Sequence, residues 1–417
     1  MDIPKPKPYK IPKQLVMVAY RRVKENRGAA GIDGQSIEAF EVDLKNNLYK
    51  IWNRMSSGSY FPPPVKAVEI PKKAGGTRML GVPTVADRVA QMVVKMTLEP
   101  VVEPIFHPDS YGYRPGRSAH QALEVTRQRC WRYDWVLELD IKGLFDNIDH
   151  DFLMRAVRWH TDNPWVLLYI ERWLKTPFQM PDGTVKARDR GTPQGGVVSP
   201  LLANLFLHYA FDAWMARSYP DQPFVRYADD GVVHCRTEAD AKRLQTDLEQ
   251  RLAECGLELN LDKTRVVYCQ DDDRRKEYPN TSFDFLGYTF RPRRSKNRWG
   301  KYFINFSPAV SRKAQTAMRR TVHDWRMHLK SDKNVEDLSR MFAPIIRGWI
   351  QYYGRFYKSE LYNVLRYINK QLVRWAERKH KKLHRHTRRA EHWLGRVARR
   401  QPSLFPHWQT GVRPAVG

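Results

Sequence analysis

Cysteines and long apolar runs are scarce in this chain of 417 residues, and acidic side chains are well outnumbered by basic ones. The four cysteines lie far apart and form no C-x-x-C pair, which argues against a disulfide framework, a zinc site of that type and a redox motif. No apolar run reaches the length of about 18 residues that spans a membrane, and the lysine- and proline-rich first residues contain no apolar signal core. These absences predict a cytoplasmic protein without a membrane partner.

The balance of charged residues leaves a large excess of positive charge. Against 45 Asp and Glu stand 72 Lys and Arg, which gives a formal net charge of +27 and a pI near 9.9. Because the basic residues are interleaved with Trp, Tyr and Phe, whose rings stack on bases, the composition favours a nucleic acid over a membrane surface as the polyanionic partner. A basic protein with no such partner is the alternative.

The pattern of apolar residues changes along the chain. Over residues 61–290, short strand-like runs alternate with helical stretches, which predicts a mixed α+β core. The basic segment 291–301 has no apolar face and interrupts this pattern. We therefore place a domain boundary there and expect the chain beyond it to be almost wholly helical. No internal repeat is present, which argues against a solenoid.

One helix of the C-terminal region carries a basic stripe. In residues 359–383, apolar side chains recur every three to four residues and form one apolar face. Basic residues spaced four apart lie on another face: Arg366, Lys370, Arg374, Arg378 and Lys382. A solvated helix face usually mixes both signs of charge, so this stripe predicts a surface that contacts phosphates. An ordinary solvated face is the alternative.

Acidic residues interrupt the strand-like runs at two places. Asp140 ends one apolar run, and Asp229 with Asp230 lies between two others. A desolvated carboxylate needs a cation, a hydrogen bond or a proton. If adjacent strands bring the three together, their repulsion calls for divalent cations, and two oxygen-ligated Mg²⁺ ions are the arrangement that catalyses in-line phosphoryl transfer. The alternative for Asp230 is a simple hairpin, because Asp230-Gly231 is a common turn dipeptide.

Nine blocks of sequence carry a resemblance to a known family. They are, in chain order, GIDGQS (31–36), IPKKAGGTRMLGVPTVADRV (70–89), YGYRPGRSAH (111–120), LELDIKGLFDNIDH (137–150), GTPQGGVVSPLLANLFLH (191–208), RYADD (226–230), GLELNLDKT (256–264), FLGYTF (285–290) and RGWIQYY (347–353). Together they resemble the group II intron-encoded reverse transcriptase/maturase family over roughly residues 15–400. YADD alone is weakly specific, but nine blocks in the family's order are very specific.

The resemblance implies an α+β fold of the right-hand polymerase type. Residues 1–60 would be an N-terminal extension with an RT0-like loop, and residues 61–290 the fingers and a palm built on an antiparallel sheet. An all-helical thumb or maturase X domain would follow over residues 300–400, and then a short tail over 401–417. No segment resembling the family's endonuclease follows the X domain in this sequence, so that domain is expected to be missing.

The resemblance also implies an activity and partners. The protein is expected to be an RNA-directed DNA polymerase of a group II intron that acts by the two-metal mechanism with two Mg²⁺ ions. As a maturase it would bind the intron RNA, assist its splicing and support its retromobility. The implied partners are group II intron RNA, an RNA template with a DNA primer, a DNA target and dNTPs.

Site residues follow from the resemblance, position by position. The catalytic carboxylates would be Asp140, Asp229 and Asp230, and the metal ligands Asp140, Asp229 and the backbone carbonyl of Ile141. The dNTP would be bound by Lys72, Arg78, Phe145, Gln194 and Lys263. The template or intron RNA would be contacted by Arg114, Arg117, Gly195, Arg366, Lys370, Arg374 and Arg378.

Some of these roles have plain structural alternatives. Phe145, which matches the family's steric gate against a ribose 2′-OH, is otherwise a core aromatic residue. Lys72 and Arg78 are otherwise a merely basic hairpin tip, and Lys263 an ordinary surface lysine. For the whole chain, the rivals are an RNA-binding splicing chaperone with vestigial polymerase chemistry and a domesticated reverse transcriptase in antiviral defence or CRISPR adaptation.

Overall fold

The computed structural model of the chain describes residues 7–71 and 77–416. The α-helices of this part are α1 (Lys13–Asn26), α2 (Ile37–Glu41), α3 (Leu44–Ser56), α4 (Val85–Val102), α5 (Ala119–Cys130), α6 (Leu144–Asn147), α7 (His150–His160), α8 (Pro164–Lys175), α9 (Ser199–Leu207), α10 (Ala213–Ser218), α11 (Glu238–Glu254), α12 (Arg312–Asp324), α13 (Val335–Tyr353), α14 (Tyr362–Lys379), α15 (Thr387–Arg400) and α16 (Pro406–Gln409). A π-helical segment, His208–Asp212, joins α9 to α10.

The strands of the same residues form three sheets. They are β1 (Val65–Pro71), β2 (Thr77–Val82), β3 (Trp135–Asp140), β4 (Phe178–Gln179), β5 (Val185–Lys186), β6 (Phe224–Tyr227), β7 (Asp230–Cys235), β8 (Arg265–Tyr268), β9 (Phe283–Phe285), β10 (Tyr288–Lys296) and β11 (Tyr302–Val310). The strand orders are β2-β1-β4-β5, β6-β7-β3-β8 and β11-β10-β9. The predicted mixture of helices and sheets is therefore confirmed.

The chain divides into two compact units. The first takes in the residues up to 118 and residues 137–265, and the second takes in residues 119–136 and 266–417. In the first unit, β1 pairs antiparallel with β2 and parallel with β4. The β6–β7 hairpin is antiparallel and lies beside β3, which ends at Asp140. The candidate site lies where the end of β3 meets the turn of this hairpin.

Helix α4 anchors a loop of the first unit through a buried carboxylate. Asp87 accepts hydrogen bonds from Tyr60 Oη, Trp173 Nε1 and Gln91 Nε2 at 2.8–2.9 Å. A buried carboxylate needs such donors because it has lost its water. Gln91 Oε1 in turn accepts from the N–H of Val197 at 2.7 Å. The loop before α9 is thereby tied to the core of the unit.

The second unit corrects one expectation from the sequence. Residues 291–301, predicted to interrupt the fold, belong to the β10–β11 hairpin and its turn, so the chain beyond residue 300 is not wholly helical. The inner end of this hairpin is apolar, and the rings of Phe283 and Phe290 stack at 4.7 Å with an interplanar angle of 4°. Strand pairing over these aromatic residues explains why a segment rich in arginine forms a sheet.

Helix α14 shows the face that the apolar periodicity predicted. Val364, Leu365, Ile368, Leu372 and Trp375 are all at most 1% exposed. They pack into one hydrophobic cluster with residues of α12, α13, α15 and α16. Burying a large apolar side chain contributes about 1.5–3 kcal/mol to the stability of the fold. The buried face therefore determines which side of α14 is exposed to solvent.

All four cysteines are buried, and none of them is joined in a disulfide among the described residues. Within residues 7–71 and 77–416, no helix combines the length and the apolar character needed to cross a membrane.

Candidate active site

Two of the predicted carboxylates lie at the tip of the β6–β7 hairpin. Tyr227 pairs with Asp230 across the two strands, so Ala228 and Asp229 form a two-residue turn. Ala228 has a φ of +56°, in the left-handed region that an alanine rarely adopts. The turn therefore needs support from its surroundings.

The Asp-Gly dipeptide does not form this turn. Gly231 lies within β7, where it pairs with Arg226. A Cβ atom at Gly231 would lie 2.8 Å from Leu139 Cδ1, so the glycine allows β7 to approach β3 closely. The alternative in which Asp230-Gly231 serves as a turn dipeptide is wrong, because the turn lies two residues earlier.

Asp140 ends β3 beside that turn. The N–H of Ile141 donates to the carbonyl oxygen of Asp229 at 3.4 Å, which places the strand end next to the turn. Asn260 donates its backbone N–H to the carbonyl oxygen of Asp140 and its Nδ2 to Asp140 Oδ2, both at 2.8 Å. The structure thus brings Asp140 together with the two hairpin carboxylates.

Lys263 supplies positive charge to this acidic group. Its Nζ lies 2.9 Å from Asp140 Oδ2, and 62% of its side chain is exposed. The hydrogen bond that Lys263 donates to Asp140, with the charges of Asp140, Asp230 and Asp229, raises the pKa of Lys263, so the ammonium group stays protonated at neutral pH. Lys263 therefore contacts the carboxylate group directly, although most of its side chain faces solvent.

The three carboxylates carry more negative charge than Lys263 alone can neutralise. Burial, and then the charge of Asp140, raises the pKa of Asp229. The side chain of Asp230 is open to solvent, but protein atoms around its carboxyl remove much of its hydration. This desolvation, with the charges of Asp229 and Asp140, raises the pKa of Asp230 to about 7. Close like charges of this kind favour bound cations. Among the described residues, however, no group of three His, Cys, Asp or Glu side chains is arranged to hold a metal ion.

A buried arginine, Arg226, donates a hydrogen bond to the backbone of the turn. Arg226 is 1% exposed, and its Nε and Nη2 donate to the two carboxylate oxygens of Asp212 at 2.7 and 2.6 Å. Nη1 donates to Asn204 Oδ1 at 3.2 Å and to the carbonyl oxygen of Ala228 at 3.1 Å, and Nη2 also donates to Ser110 Oγ at 2.9 Å. All five donors of the guanidinium are used, one of them directly on the turn.

The segment before Tyr113 packs against the same turn. A Cβ atom at Gly112 would lie 2.4 Å from the backbone nitrogen of Ala228, so only glycine fits there. Asn204 Nδ2 donates to the carbonyl oxygen of Gly112 at 2.7 Å. The N–H of Tyr111 donates to the carbonyl oxygen of Arg226 at 2.9 Å. The unusual conformation of Ala228 is thus held by contacts on several sides.

Two aromatic rings lie next to the carboxylates. The rings of Tyr113 and Phe145 meet edge to face, with centroids 6.5 Å apart at 80°. Tyr113 is 52% exposed, and partial desolvation of its hydroxyl and the charge of Asp229 raise its pKa, whereas the charge of Arg78 lowers it. Phe145 is partly buried. Arg78 is exposed on β2, and Lys72 lies outside the described residues.

Comparison with known proteins identifies the family of this chain. Residues 70–290, more than half of the chain, match the family model described as reverse transcriptase (RNA-dependent DNA polymerase). The chain belongs to the reverse transcriptase family. Residues 315–393 match the model described as group II intron, maturase-specific domain. The resemblance predicted from the nine sequence blocks is therefore confirmed.

Several curated proteins are similar to this reverse transcriptase. Protein YkfC of Escherichia coli (strain K12) is 28% identical over 354 residues, which cover 75% of this chain and 89% of YkfC. Group II intron-encoded protein LtrA of Lactococcus lactis subsp. cremoris is 36% identical over 203 residues, which cover 48% of this chain but only 33% of LtrA. Among solved structures, telomerase from Candida albicans in complex with a fragment of telomeric RNA aligns with a TM-score of 0.45 and 13% identity, covering 90% of this chain and 67% of that one.

Gln194 and Gly195 of the reverse transcriptase lie in a loop that packs on β2. The carbonyl oxygen of Gln194 accepts from the N–H of Gly81 at 2.7 Å. Gly195 has a φ of +112°, and a Cβ atom there would lie 2.3 Å from the carbonyl oxygen of Gly81. The chain's own backbone therefore accounts for glycine at position 195, which the sequence had assigned to approach of the template.

The two arginines of the YGYRPGRSAH block differ in their surroundings. Arg114 is buried, pairs with Glu103 at 2.7 Å and donates to the carbonyl oxygens of His107 and Ser110 at 2.7 Å. Its guanidinium is committed to the interior, so the structure does not support the predicted contact with nucleic acid. Arg117 is exposed and remains a candidate for that contact.

The basic stripe of the second unit is open to solvent. Arg366, Lys370, Arg374 and Arg378 are all exposed on α14, opposite its buried apolar face. Three of them line a groove of about 870 Å³ together with residues of α15 and residues 410–415. These side chains are accessible to a large polyanion.

Sequence reasoning missed several residues of the site. Arg226 and Tyr113 stand within quoted blocks of the family order, but their roles depend on contacts that the sequence does not show. Asp212 carried no signal, because a lone Asp in an apolar helical stretch fits many explanations. The π-helical segment that carries Asp212 is a feature often found at functional sites.

Proposed function

We propose that this protein is the RNA-directed DNA polymerase of a group II intron and also acts as its maturase. The observation that carries the proposal is the junction of β3 with the β6–β7 turn, where Ile141 donates to Asp229 at 3.4 Å and three carboxylates act on one another. The family matches support both halves, since one is described as an RNA-dependent DNA polymerase and the other as a group II intron maturase-specific domain.

The donor set at the junction suits magnesium. Carboxylate and carbonyl oxygens are the ligands that Mg²⁺ prefers. Desolvation, and then the neighbouring carboxylate charges, raise the pKa values of Asp229 and Asp230, and bound cations would offset both effects. We assign Asp140, Asp229 and the Ile141 carbonyl as ligands of two Mg²⁺ ions, with Asp230 assisting. When bound, these ions would activate the primer 3′-OH and stabilise the leaving pyrophosphate.

The residues around the carboxylates would bind the nucleotide. Arg78 would neutralise the triphosphate, and Lys72 is proposed for the same role from sequence alone. Phe145 would occupy the space of a ribose 2′-OH, with Tyr113 holding its ring edge to face. Gln194 would hydrogen-bond near the incoming sugar and phosphates. Lys263, which lies beside Asp140, would donate a proton to departing pyrophosphate.

The division of labour along the chain is part of the proposal. Residues 61–290 would be the fingers and palm, preceded by an N-terminal extension over 1–60, and residues 300–400 the thumb and maturase X domain, followed by a short tail over 401–417. Exposed Arg117 and the α14 stripe would contact the RNA template or the intron RNA. The intron RNA, an RNA template with its DNA primer, dNTPs and a DNA target would be the partners.

Primer extension tests the polymerase activity directly. The purified chain should add dTMP residues to oligo(dT) annealed to poly(rA) when Mg²⁺ is present, and removal of the metal with a chelator should stop the reaction. A chain that is inert in this assay but still binds intron RNA and promotes splicing would instead support the splicing chaperone.

A change at Phe145 should alter sugar selectivity. Phe145→Ala or Phe145→Val should raise the use of rNTPs relative to dNTPs by about tenfold or more, because the clash with the ribose 2′-OH is relieved. The measurement is the ratio of kcat/KM for rTTP and dTTP on the same primer. Phe152→Ala, at an aromatic residue that is 43% exposed on α7, is the control and should leave the ratio unchanged. An unchanged ratio in the Phe145 variants would mean that the ring only packs in the core and does not select the sugar.

Neutralising part of the basic stripe should weaken the salt dependence of RNA binding. When Arg366, Lys370 and Arg374 are replaced together by glutamine, fewer counterions are released on binding. The slope of log K against log salt should then become shallower by about 2, since each phosphate contact contributes about 0.7 to 0.9. Equilibrium titrations of intron RNA between low and high salt measure this slope.

The control removes the same charge elsewhere. Lys175, Lys242 and Arg243 pair with Glu171, Glu238 and Asp240 on α8 and α11. A variant with glutamine at these three basic positions changes the net charge equally but removes cations that already have carboxylate partners. The slope of this control should stay close to that of the wild type. Equal slopes in both triple variants would mean that the α14 stripe is an ordinary solvated surface that does not contact RNA.

A further inference from the structure

The β10–β11 hairpin of the second unit extends well beyond its core. Its strands pair over nine positions, from Tyr288 with Val310 to Lys296 with Tyr302. The inner residues Tyr288 and Phe290 are fully buried, whereas Tyr302 is 54% exposed and Ile304 is 44% exposed. Packing of the core therefore accounts for the inner half of the hairpin but not for its outer half.

The turn of this hairpin is built by one side chain. Asn297 Oδ1 accepts from the N–H groups of Trp299 and Lys301 at 3.0 and 2.9 Å, and the N–H of Asn297 donates to the carbonyl oxygen of Lys301 at 2.9 Å. Gly300 closes the turn with a φ of +85°. Such an Asn-centred turn fixes its backbone. The turn thus presents Arg298 and Trp299 in a defined arrangement.

Aromatic rings at the tip carry arginines on their faces. Arg298 Cζ lies 4.0 Å from the ring centroid of Trp299, which is 75% exposed. Arg294 Cζ lies 4.0 Å from the ring centroid of Tyr302. Exposed pairs of this kind gain little stability by themselves, about 0.5–1 kcal/mol. A large exposed tryptophan on a well-built turn is therefore not explained by folding.

The charge of the tip is also unbalanced. At the base of the hairpin, Arg291 and Arg293 pair with Glu360 at 3.5 and 2.9 Å. Residues 294–302 contain four basic residues and no acidic one. Those four are Arg294, Lys296, Arg298 and Lys301, and none of them has an ion pair with a carboxylate in the described part of the chain.

We propose that this tip, residues 294–302, binds single-stranded nucleic acid. Trp299 and Tyr302 would stack on unpaired bases, while the four basic side chains contact the neighbouring phosphates. Stacking on exposed rings requires bases that are not already stacked in a duplex, so a single strand fits the tip better than a duplex. The proposal stands on the hairpin alone and does not require the polymerase activity proposed above.

The test compares two exposed tryptophans in the full chain. Trp299→Ala should weaken binding of a fluorescent 20-nucleotide single strand by about 5- to 160-fold, which corresponds to about 1–3 kcal/mol for one stacked base. Trp299→Phe keeps a ring and should stay within about threefold of the wild type. Trp159→Ala, at a residue that is 81% exposed on α7, is the matched control and should bind like the wild type.

Further measurements separate the contribution of base stacking from that of charge. RNA and DNA strands of the same sequence show which sugar the tip prefers, and the effect of Trp299→Ala should be smaller on the corresponding duplex. Arg298→Gln should weaken binding and flatten its salt dependence, whereas Trp299→Ala should leave the salt slope unchanged. Wild-type affinity of Trp299→Ala for both single strands, or equal losses in Trp299→Ala and Trp159→Ala, would overturn the proposal. Thermal midpoints should remain the same in all variants because the exchanged side chains are exposed.

Discussion

Replacing Asp229 with alanine is expected to lower dNTP incorporation by at least about a thousandfold while leaving RNA binding close to that of the wild type. Asp229 lies at the turn where the end of β3 and the β6–β7 hairpin meet, and the variant loses one of the two carboxylates proposed as metal ligands. The basic surfaces that would contact RNA keep their charge. Primer extension and equilibrium RNA binding, measured on one preparation, check both halves of this expectation.

The stability of the variant should not fall. At neutral pH the Asp229 carboxylate is held among like charges, and its raised pKa means that its ionised form is less favourable in the folded chain than in the unfolded chain. Asp221→Ala, at an exposed acidic residue between α10 and β6, is the control and should retain activity. More than a tenth of wild-type activity in Asp229→Ala would contradict the proposed mechanism.

Removing Arg226 should have the largest effect on stability. Arg226→Leu leaves the carboxylate of Asp212 buried and unpaired, which is expected to cost about 3–5 kcal/mol of unfolding free energy. It also removes the donor to the Ala228 carbonyl oxygen at 3.1 Å, so the turn that carries Asp229 loses its support. Urea unfolding and primer extension measure the two consequences separately.

A double variant distinguishes support of the turn from folding. Arg226→Leu combined with Asp212→Leu removes both buried charges and should recover most of the lost stability, yet polymerase activity should remain low because the Ala228 carbonyl still lacks its donor. Arg293→Leu with Glu360→Leu, a change at a largely buried pair in the second unit, should leave polymerase activity unaffected. Recovery of both stability and activity in the Arg226 double variant would mean that the network only stabilises the fold and that the hydrogen bond to Ala228 is not needed for activity.

The sequence predicted the parts of the molecule that depend on local periodicity. The buried face of α14 follows from apolar residues at helical spacing, and the exposure of Arg366, Lys370, Arg374 and Arg378 follows from it. The hairpin with paired carboxylates followed from two strand-like runs around Asp229 and Asp230. In each case the pattern reports which side of an element meets the core.

The conformation of the turn could not be predicted in this way. Turn chemistry favoured the Asp-Gly dipeptide, whereas the chain turns at Ala228 and Asp229 with Ala228 in the left-handed region. Contacts from Arg226 and Gly112, the latter more than a hundred residues away in sequence, impose this choice. Local preference is weaker than such tertiary contacts, so the register of the hairpin was beyond sequence reasoning.

Burial of charged residues was equally hidden. Arg114 and Arg117 stand three positions apart in one block, yet Arg114 is enclosed by Glu103 and backbone carbonyls while Arg117 is exposed. The arginine-rich segment 291–301 gave no apolar face, but its neighbours Phe283, Phe290 and Phe306 supply the packing that turns it into strands. Composition alone does not distinguish a charged side chain that folds the protein from one that meets a ligand.

The burial of all four cysteines has a practical consequence for measurements on this protein. A maleimide dye added to the folded chain would react slowly with the native thiols, since Cys130, Cys235 and Cys269 are fully buried and Cys255 is only 8% exposed. One cysteine introduced at Val42, which is 89% exposed, would therefore take up a fluorophore at a single known place without removal of native residues. Energy transfer from that dye to a labelled oligonucleotide would then follow, one molecule at a time, how far the nucleic acid moves during each round of synthesis.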